Sequence, residues 1–214
     1  MSASDLLTQP DRQDSDRTYG VVVAIVMDNK DPRGFGRVRV KYPASSDDEI
    51  GHWARVAVLM AGAQRGTFFL PEVDDEVLVA FEQGDIMRPY IIGALWNGKD
   101  KPPDANSDGE NNLRFIKSRS GHLVRLDDTD GAEKIEIIDK SGKNSITIDT
   151  AENTIAIKSD KDITIEATQG TIKLNAKNIE LSSTAETKIV AQGGATLDGS
   201  PKTTTVKGSK VNIN

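Results

Sequence analysis

Residues Asn153 to Ser183 read NTIAIKSDKDITIEATQGTIKLNAKNIELSS, in which two aliphatic side chains flanking one polar or small residue return repeatedly. Such doublets stand at Ile135 and Ile137, Ile146 and Ile148, Ile155 and Ile157, Ile163 and Ile165, Ile172 and Leu174, Ile179 and Leu181, and Ile189 with Ala191. Their first members are 11, 9, 8, 9, 7 and 10 residues apart. That period is too short for leucine-rich or helical repeats, whose units run to about 20 residues or more. It equals one short strand plus one turn. Alternation places each doublet on one face of its strand and Glu136, Thr147, Ala156, Thr164, Lys173 and Glu180 on the other, so one face is expected to be buried and the other wet.

Two aliphatic side chains per strand make a thin core. A monomeric β-solenoid built from this segment has few coils, open ends and exposed edge strands. Three copies wound about one axis instead share a closed interior filled by Ile and Leu from all chains, with each strand hydrogen-bonded on both sides to a neighbouring chain. At ~4.8 Å per strand layer, about ten segments per chain give a needle roughly 50 Å long. All ten aromatic residues lie between Tyr19 and Phe115, which fits a narrow lumen that admits no ring. From Ala151 onward eight Lys face seven Asp plus Glu, a mixed, nearly neutral exterior suited to sliding past other surfaces. Toward the end, AQGGATLDGSPKTTTVKGSKVNIN thins to Gly, Ala, Ser and Thr with isolated Leu197, Val206, Val211 and Ile213, a taper.

The aromatic boundary also divides the chain. NGKDKPPDANSDG, Asn97 to Gly109, packs two prolines among Asn, Asp and Gly as a polar connector. The expected organisation is an arm over 1–17, a globular domain over 18–98, a linker over 99–112 and the β-helical spike over 113–214. The arm carries Asp11, Arg12, Asp14, Asp16 and Arg17 and little to bury. In 18–98 five strands are expected: Tyr19 to Met27, Gly36 to Tyr42, His52 to Met60, Asp75 to Gln83 and Arg88 to Trp96. Val38 and Val40 face inward while Arg37, Arg39 and Lys41 face water. Pro32, Gly34 and Gly36 punctuate one turn; Gln83, Gly84 and Asp85 close a hairpin. Five short strands in about 80 residues predict a Greek-key barrel of the OB type, its aromatics lying inside the strand patterns.

Across its 214 residues the chain is 36% hydrophobic, enough for a core, with a net charge of −6 and no cysteine. An acidic chain argues against nucleic acid and anionic membrane as partners, and the lack of cysteine removes disulfides and thiolate metal sites. No apolar run suits a signal peptide or a membrane span, so the cytoplasm is the expected site of synthesis.

A search for chemistry yields no catalytic, cofactor or metal residue. His52, beside Asp47, Asp48 and Glu49, reads as a solvated turn rather than a base or a metal cluster. His122 opens an amphipathic strand as a structural or surface histidine. Asp127 and Asp128 are adjacent and so point to opposite faces, unlike a glycosidase pair. Phosphate-binding loops and D-x-D-x-D-G calcium loops are missing, and DDTDG at Asp127 to Gly131 lacks the ligand spacing. No enzyme activity is expected.

From Arg65 to Gly98 the chain reads RGTFFLPEVDDEVLVAFEQGDIMRPYIIGALWNG, preceded by GVVVAIVMDNKDPRGFGRVRVKYP. The order Gly66, Phe69, Pro71, Glu72, Val73, Asp75, Glu76, Val77, Val79, Phe81, Gly84, Asp85, Arg88, Pro89, Ile92, Gly93, Asn97, Gly98 resembles the OB domain of phage baseplate assembly protein V and of VgrG spike proteins. Pro71 reads as preorganising the fourth strand, and Gly93 as permitting close backbone approach in the fifth. The resemblance implies the all-β central spike of a contractile injection system: a homotrimer whose barrel seats on a baseplate hub and whose needle pierces a target envelope mechanically. It further implies cytoplasmic assembly, then residence in a virion or phage tail-like particle. Some needles of this family end in a His-x-His iron site, which nothing here matches, so no tip metal is expected. A chain ending at VNIN implies a blunt plateau covered by a separate PAAR-type tip protein. The alternatives are a trimeric carbohydrate-binding tailspike, disfavoured by the missing needle aromatics, and an OB-type single-stranded nucleic-acid binder, disfavoured by charge.

Overall fold

The computed structural model describes residues 17–43 and 51–211 and divides into two units between Lys158 and Ser159. In the first unit the β-formers of the N-terminal half make β1 (Val21–Asp28), β2 (Val38–Lys41), β3 (Trp53–Val56), β6 (Glu76–Phe81) and β7 (Pro89–Leu95). These close into a barrel in the order β1, β2, β3, β7, β6, as the OB expectation requires. All pairings are antiparallel except β3 with β7, which run parallel with Arg55 opposite Tyr90 and Val56 opposite Ile91. Between β3 and β6 lies a small hairpin that the sequence reading missed, β4 (Ala61–Gly62) with β5 (Arg65–Gly66). A single 3-10 turn at Glu82–Gly84 joins β6 to β7, closing the hairpin expected there.

Alternation decides what fills the barrel. Val38 and Val40 point inward as expected and join Ala24, Val26, Ala54, Val77, Val79 and Ile91 in a wholly aliphatic core. Tyr42 and Phe81 only pack against it, their rings 5.7 Å apart. The aromatics were expected inside; instead Tyr19, Phe35, Phe68, Phe69 and Trp96 are exposed. The reason is volume: inward positions of a five-stranded barrel lie so close together that Val and Ala fill the space. Gly93 corrects a second expectation, since a Cβ there would meet nothing within 4 Å.

Beyond the connector, five strands form one antiparallel meander: β8 (Leu113–Lys117), β9 (Leu123–Asp127), β10 (Lys134–Ile138), β11 (Ser145–Asp149) and β12 (Thr154–Lys158). Register aligns the doublets into two ladders on one face. One runs Ile116, Val124, Ile137, Ile146, Ile157; the other runs Arg114, Leu126, Ile135, Ile148, Ile155. The opposite face carries Phe115, Arg125, Glu136, Thr147 and Ala156 in line. Arg125 donates to Glu136 there, its Nε 2.8 Å from Oε2. At the β10–β11 turn Asp139 accepts from the Ser141 hydroxyl at 2.8 Å and from Asn144 Nδ2 at 2.9 Å, which holds its pKa down at about 2.

This meander corrects the sequence reading for residues 113–158, where the strands were expected to pair with neighbouring chains. They pair within the chain, because each turn is short enough to bring the next doublet back alongside the last. In the second unit no strand forms among the described residues Ser159 to Val211, and Ile163, Ile165, Ile172, Leu174, Ile179 and Leu181 are all exposed.

Candidate functional site

The largest feature that solvent leaves unsatisfied is the doublet face of the meander. Its nine aliphatic side chains, Ile116, Val124, Leu126, Ile135, Ile137, Ile146, Ile148, Ile155 and Ile157, are between 36% and 72% exposed. A contiguous apolar face of this kind marks an interaction surface. The expectation of a buried doublet face therefore fails within a single chain: solvent reaches these residues more readily than the polar positions between them. A link ties the meander to the barrel, Arg119 Nη1 lying 2.6 Å from Glu72 Oε2.

The second feature is the loop from Asp31 to Arg37. The Asp31 carboxylate accepts from the backbone N–H of Arg33 and of Phe35, both at 3.0 Å, and of Arg37 at 3.3 Å. Both of its oxygens also bind the Arg37 guanidinium, at 2.9 Å and 2.8 Å. Its side chain is 3% exposed. The Arg37 guanidinium first, then the three N–H donors, hold this carboxyl far below the usual carboxylate range. Arg37 in turn lies over the rings of Phe35 and Trp53, at 5.5 Å and 5.7 Å. Similarly Arg55 lies 5.3 Å from the Tyr90 ring, and the Tyr90 hydroxyl donates to Glu82 at 2.8 Å. Two adjoining grooves flank this loop. One, about 490 Å³, is mostly apolar and is bounded by Phe35, Val58, Met60 and Phe68. The other, about 570 Å³, is more polar and is bounded by Arg55, Glu82, Met87, Arg88 and Tyr90. The sequence reading saw this segment only as a Pro/Gly turn; the D-P-x-G-x-G-R spacing was the signal for the clasp.

The residues weighed for chemistry do not converge. His52 is exposed, and its neighbours Asp47, Asp48 and Glu49 lie outside the described residues. His122 Nδ1 accepts from the Lys140 backbone N–H at 3.2 Å, a turn-holding role. Asp127 accepts from the Thr129 hydroxyl at 2.6 Å, and Asp128 pairs with Arg114, so the two carboxylates are separately engaged. The linker does read D-x-N-x-D-G from Asp104 to Gly109, a spacing that the strict D-x-D-x-D-G search passed over. Its side chains cap their own turns: Asp104 accepts from Asn106 N at 2.7 Å, Asn106 from Asn111 N at 2.7 Å and Asp108 from Glu110 N at 3.1 Å. The twelfth position is Phe115, where a calcium loop needs a bidentate Glu. Among the described residues no three His, Asp or Glu gather to hold a metal.

Comparison with known proteins places these features. Residues 22–96, 75 of the 214, match the type VI secretion system/phage-baseplate injector OB domain. The chain is 30% identical over 138 residues to the type VI secretion system spike protein VgrG3 of Vibrio cholerae, covering 62% of this chain and 14% of that protein. Over 115 residues it is 30% identical to VgrG1a of Pseudomonas aeruginosa, covering 48% and 18%. VgrG2a of the same organism is 30% identical over 121 residues, covering 52% and 14%. The chain thus spans less than a fifth of the length of these relatives. Residues 22–96 thus resemble an injector OB domain, and similarity to VgrG spike proteins extends over as much as 62% of the chain.

Proposed function

We propose that the chain is the structural central spike of a contractile injection system, acting as a homotrimer without catalysis or cofactor. The observation that carries this reading is the pairing of an exposed nine-residue aliphatic face with a following segment that repeats the doublets yet forms no strand alone. Burying such a face contributes about 25 cal/mol for each Å² removed from water, and two further copies supply matching faces. On this reading residues 113–158 give each copy one wall of a three-walled prism. Residues from 159 onward, whose described part Ser159 to Val211 forms no strand within the chain, complete strands between chains as an intertwined β-helix. The organisation is then arm 1–17, OB domain 18–98, linker 99–112 and spike 113–214. Stacked strands transmit force along the axis, so the work of crossing an envelope is mechanical. The similarity to spike proteins supports a baseplate hub above and a PAAR-type tip protein below as partners, with assembly in the cytoplasm and final residence in a phage tail-like particle.

The test is the mass of the purified protein. Three copies of the 23.2 kDa chain give about 70 kDa. Ile137→Asp combined with Ile146→Asp places charges across one ladder and returns the mass to 23.2 kDa. A native chain that stays a folded 23.2 kDa monomer at micromolar concentration overturns the proposal.

A further inference from the structure

The two ends of the β6–β7 hairpin carry grooves of opposite charge. Where β7 begins, the more polar groove beside the Asp31 loop is lined by Arg37, Arg55 and Arg88 against Glu82, with Trp53 and Tyr90 between them. Where β6 begins and β7 ends, a groove of about 370 Å³ is lined by Asp75, Glu76 and Asp100 against Lys101, with Leu95 and Trp96 beside them. Among the described residues, three arginines less one glutamate give the first groove +2, and three acids less one lysine give the second −2.

The acidic end is a rigid knob. Trp96 is 69% exposed, whereas an indole is normally buried over most of its surface. Asn97 fixes the turn behind it: its Oδ1 accepts from Lys99 N at 2.9 Å and from Asp100 N at 2.7 Å, its N–H donates to Asp100 O at 2.9 Å, and its Nδ2 donates to Glu76 Oε2 at 3.3 Å. An anchor held in this way loses little freedom on docking. The basic end suits it as a receptor. Arg88 has a side chain 64% exposed, and its acidic neighbours Glu82 and Asp85 stand off at 3.6 Å and 3.5 Å. With five N–H donors, its guanidinium can take a further carboxylate.

These two ends cannot meet within one chain. β6 spans the six residues Glu76–Phe81, which sets the grooves roughly 20 Å apart along the strand. A contact between them therefore joins different copies head to tail, and such a contact stops growing only when it closes as a ring. Resting on the homotrimer reading, we infer that the three barrels form that ring, with Trp96 and Asp100 of each copy seated in the Arg55, Arg88 and Tyr90 groove of the next. The receiving groove, about 570 Å³, offers the indole two guanidinium groups for cation–π contact, and Asp100 meets Arg88. This interface is separate from the doublet face and adds to it.

A chain without cysteine allows a clean cross-linking test. Met87 and Lys101 border the two grooves, so Met87→Cys with Lys101→Cys in one full-length chain leaves Arg88 and Asp100 in place. Treated with a short bismaleimide, this double variant is expected to run as linked two-chain and three-chain species on a denaturing gel, and neither single variant links. Adding Arg88→Glu cuts the linked fraction about fivefold or more, and adding Asp100→Arg on top of it restores linking. Native mass, measured on the same samples, separates this inference from the spike reading. An assembly of about 70 kDa whose chains do not link overturns the ring and leaves the trimer standing. So does linking in either single variant, which puts like grooves together, or linking that ignores Arg88→Glu. A mass of 23.2 kDa removes the trimer, and the ring with it.

Discussion

Asp31 governs a seven-residue loop through five hydrogen bonds, three of them from backbone N–H groups that no other side chain serves as well. Asp31→Asn keeps the shape and removes the charge; the expected result is a fall in barrel melting temperature of several degrees, measured by circular dichroism. The pH dependence follows from the depressed folded pKa. An unfolded Asp takes up its proton near pH 3.9, before the folded one does, so acid draws the equilibrium toward unfolding. The clasp's contribution is complete above about pH 5 and shrinks as the pH falls from about 4 toward the folded value. The gap in urea midpoint between native protein and Asp31→Asn is therefore constant from neutrality to about pH 5 and closes below that. Two glycines make a matched pair at this scale. A Cβ on Gly66, whose φ is +151°, would lie 2.5 Å from the Met60 carbonyl oxygen, whereas one on Gly93 has open space. Gly66→Ala is expected to cost about 1–3 kcal/mol in chemical denaturation and Gly93→Ala less than about 0.5 kcal/mol. Inward valines were legible from alternation, but the carboxylate's role was not: its partners are main-chain groups, which leave no trace in a hydrophobic pattern.

At the scale of elements, the five barrel strands were legible because each presents a run of β-formers bounded by turn residues. The β4–β5 hairpin was not, since its strands are two residues long and apolar character runs unbroken from Val56 to Gly62. As far as Ile157 the doublets announced strands but not their partners. Alternation states which face a strand buries and is silent on whose strand lies beside it. Short turns such as Asp139 to Asn144, closed by an engaged aspartate, are what bring residues 113–158 together within one chain. Cross-strand pairing on the polar face should be measurable: Arg125→Ala removes the partner of a Glu136 side chain that is 13% exposed. The expected loss is about 1 kcal/mol, read from urea denaturation, and Arg125→Lys recovers only part of it because a single ammonium replaces a two-nitrogen contact.

At the scale of the whole molecule, association and stability are one quantity if three copies share an interior. The melting temperature of the spike half should then rise with protein concentration, while the barrel transition stays fixed. Differential scanning calorimetry across a hundredfold concentration range separates the two; a spike transition that ignores dilution contradicts the trimer. The change at Lys158, where in-chain pairing stops although the doublets continue, has a consequence for biogenesis. Each newly made chain can zip its own five-stranded wall at once, by local hairpins that close in microseconds. If three copies share the interior, everything after that point waits for two companions. On that condition assembly begins at the wall and propagates one way toward the C-terminus, and cannot lock in a register that the walls have not already set.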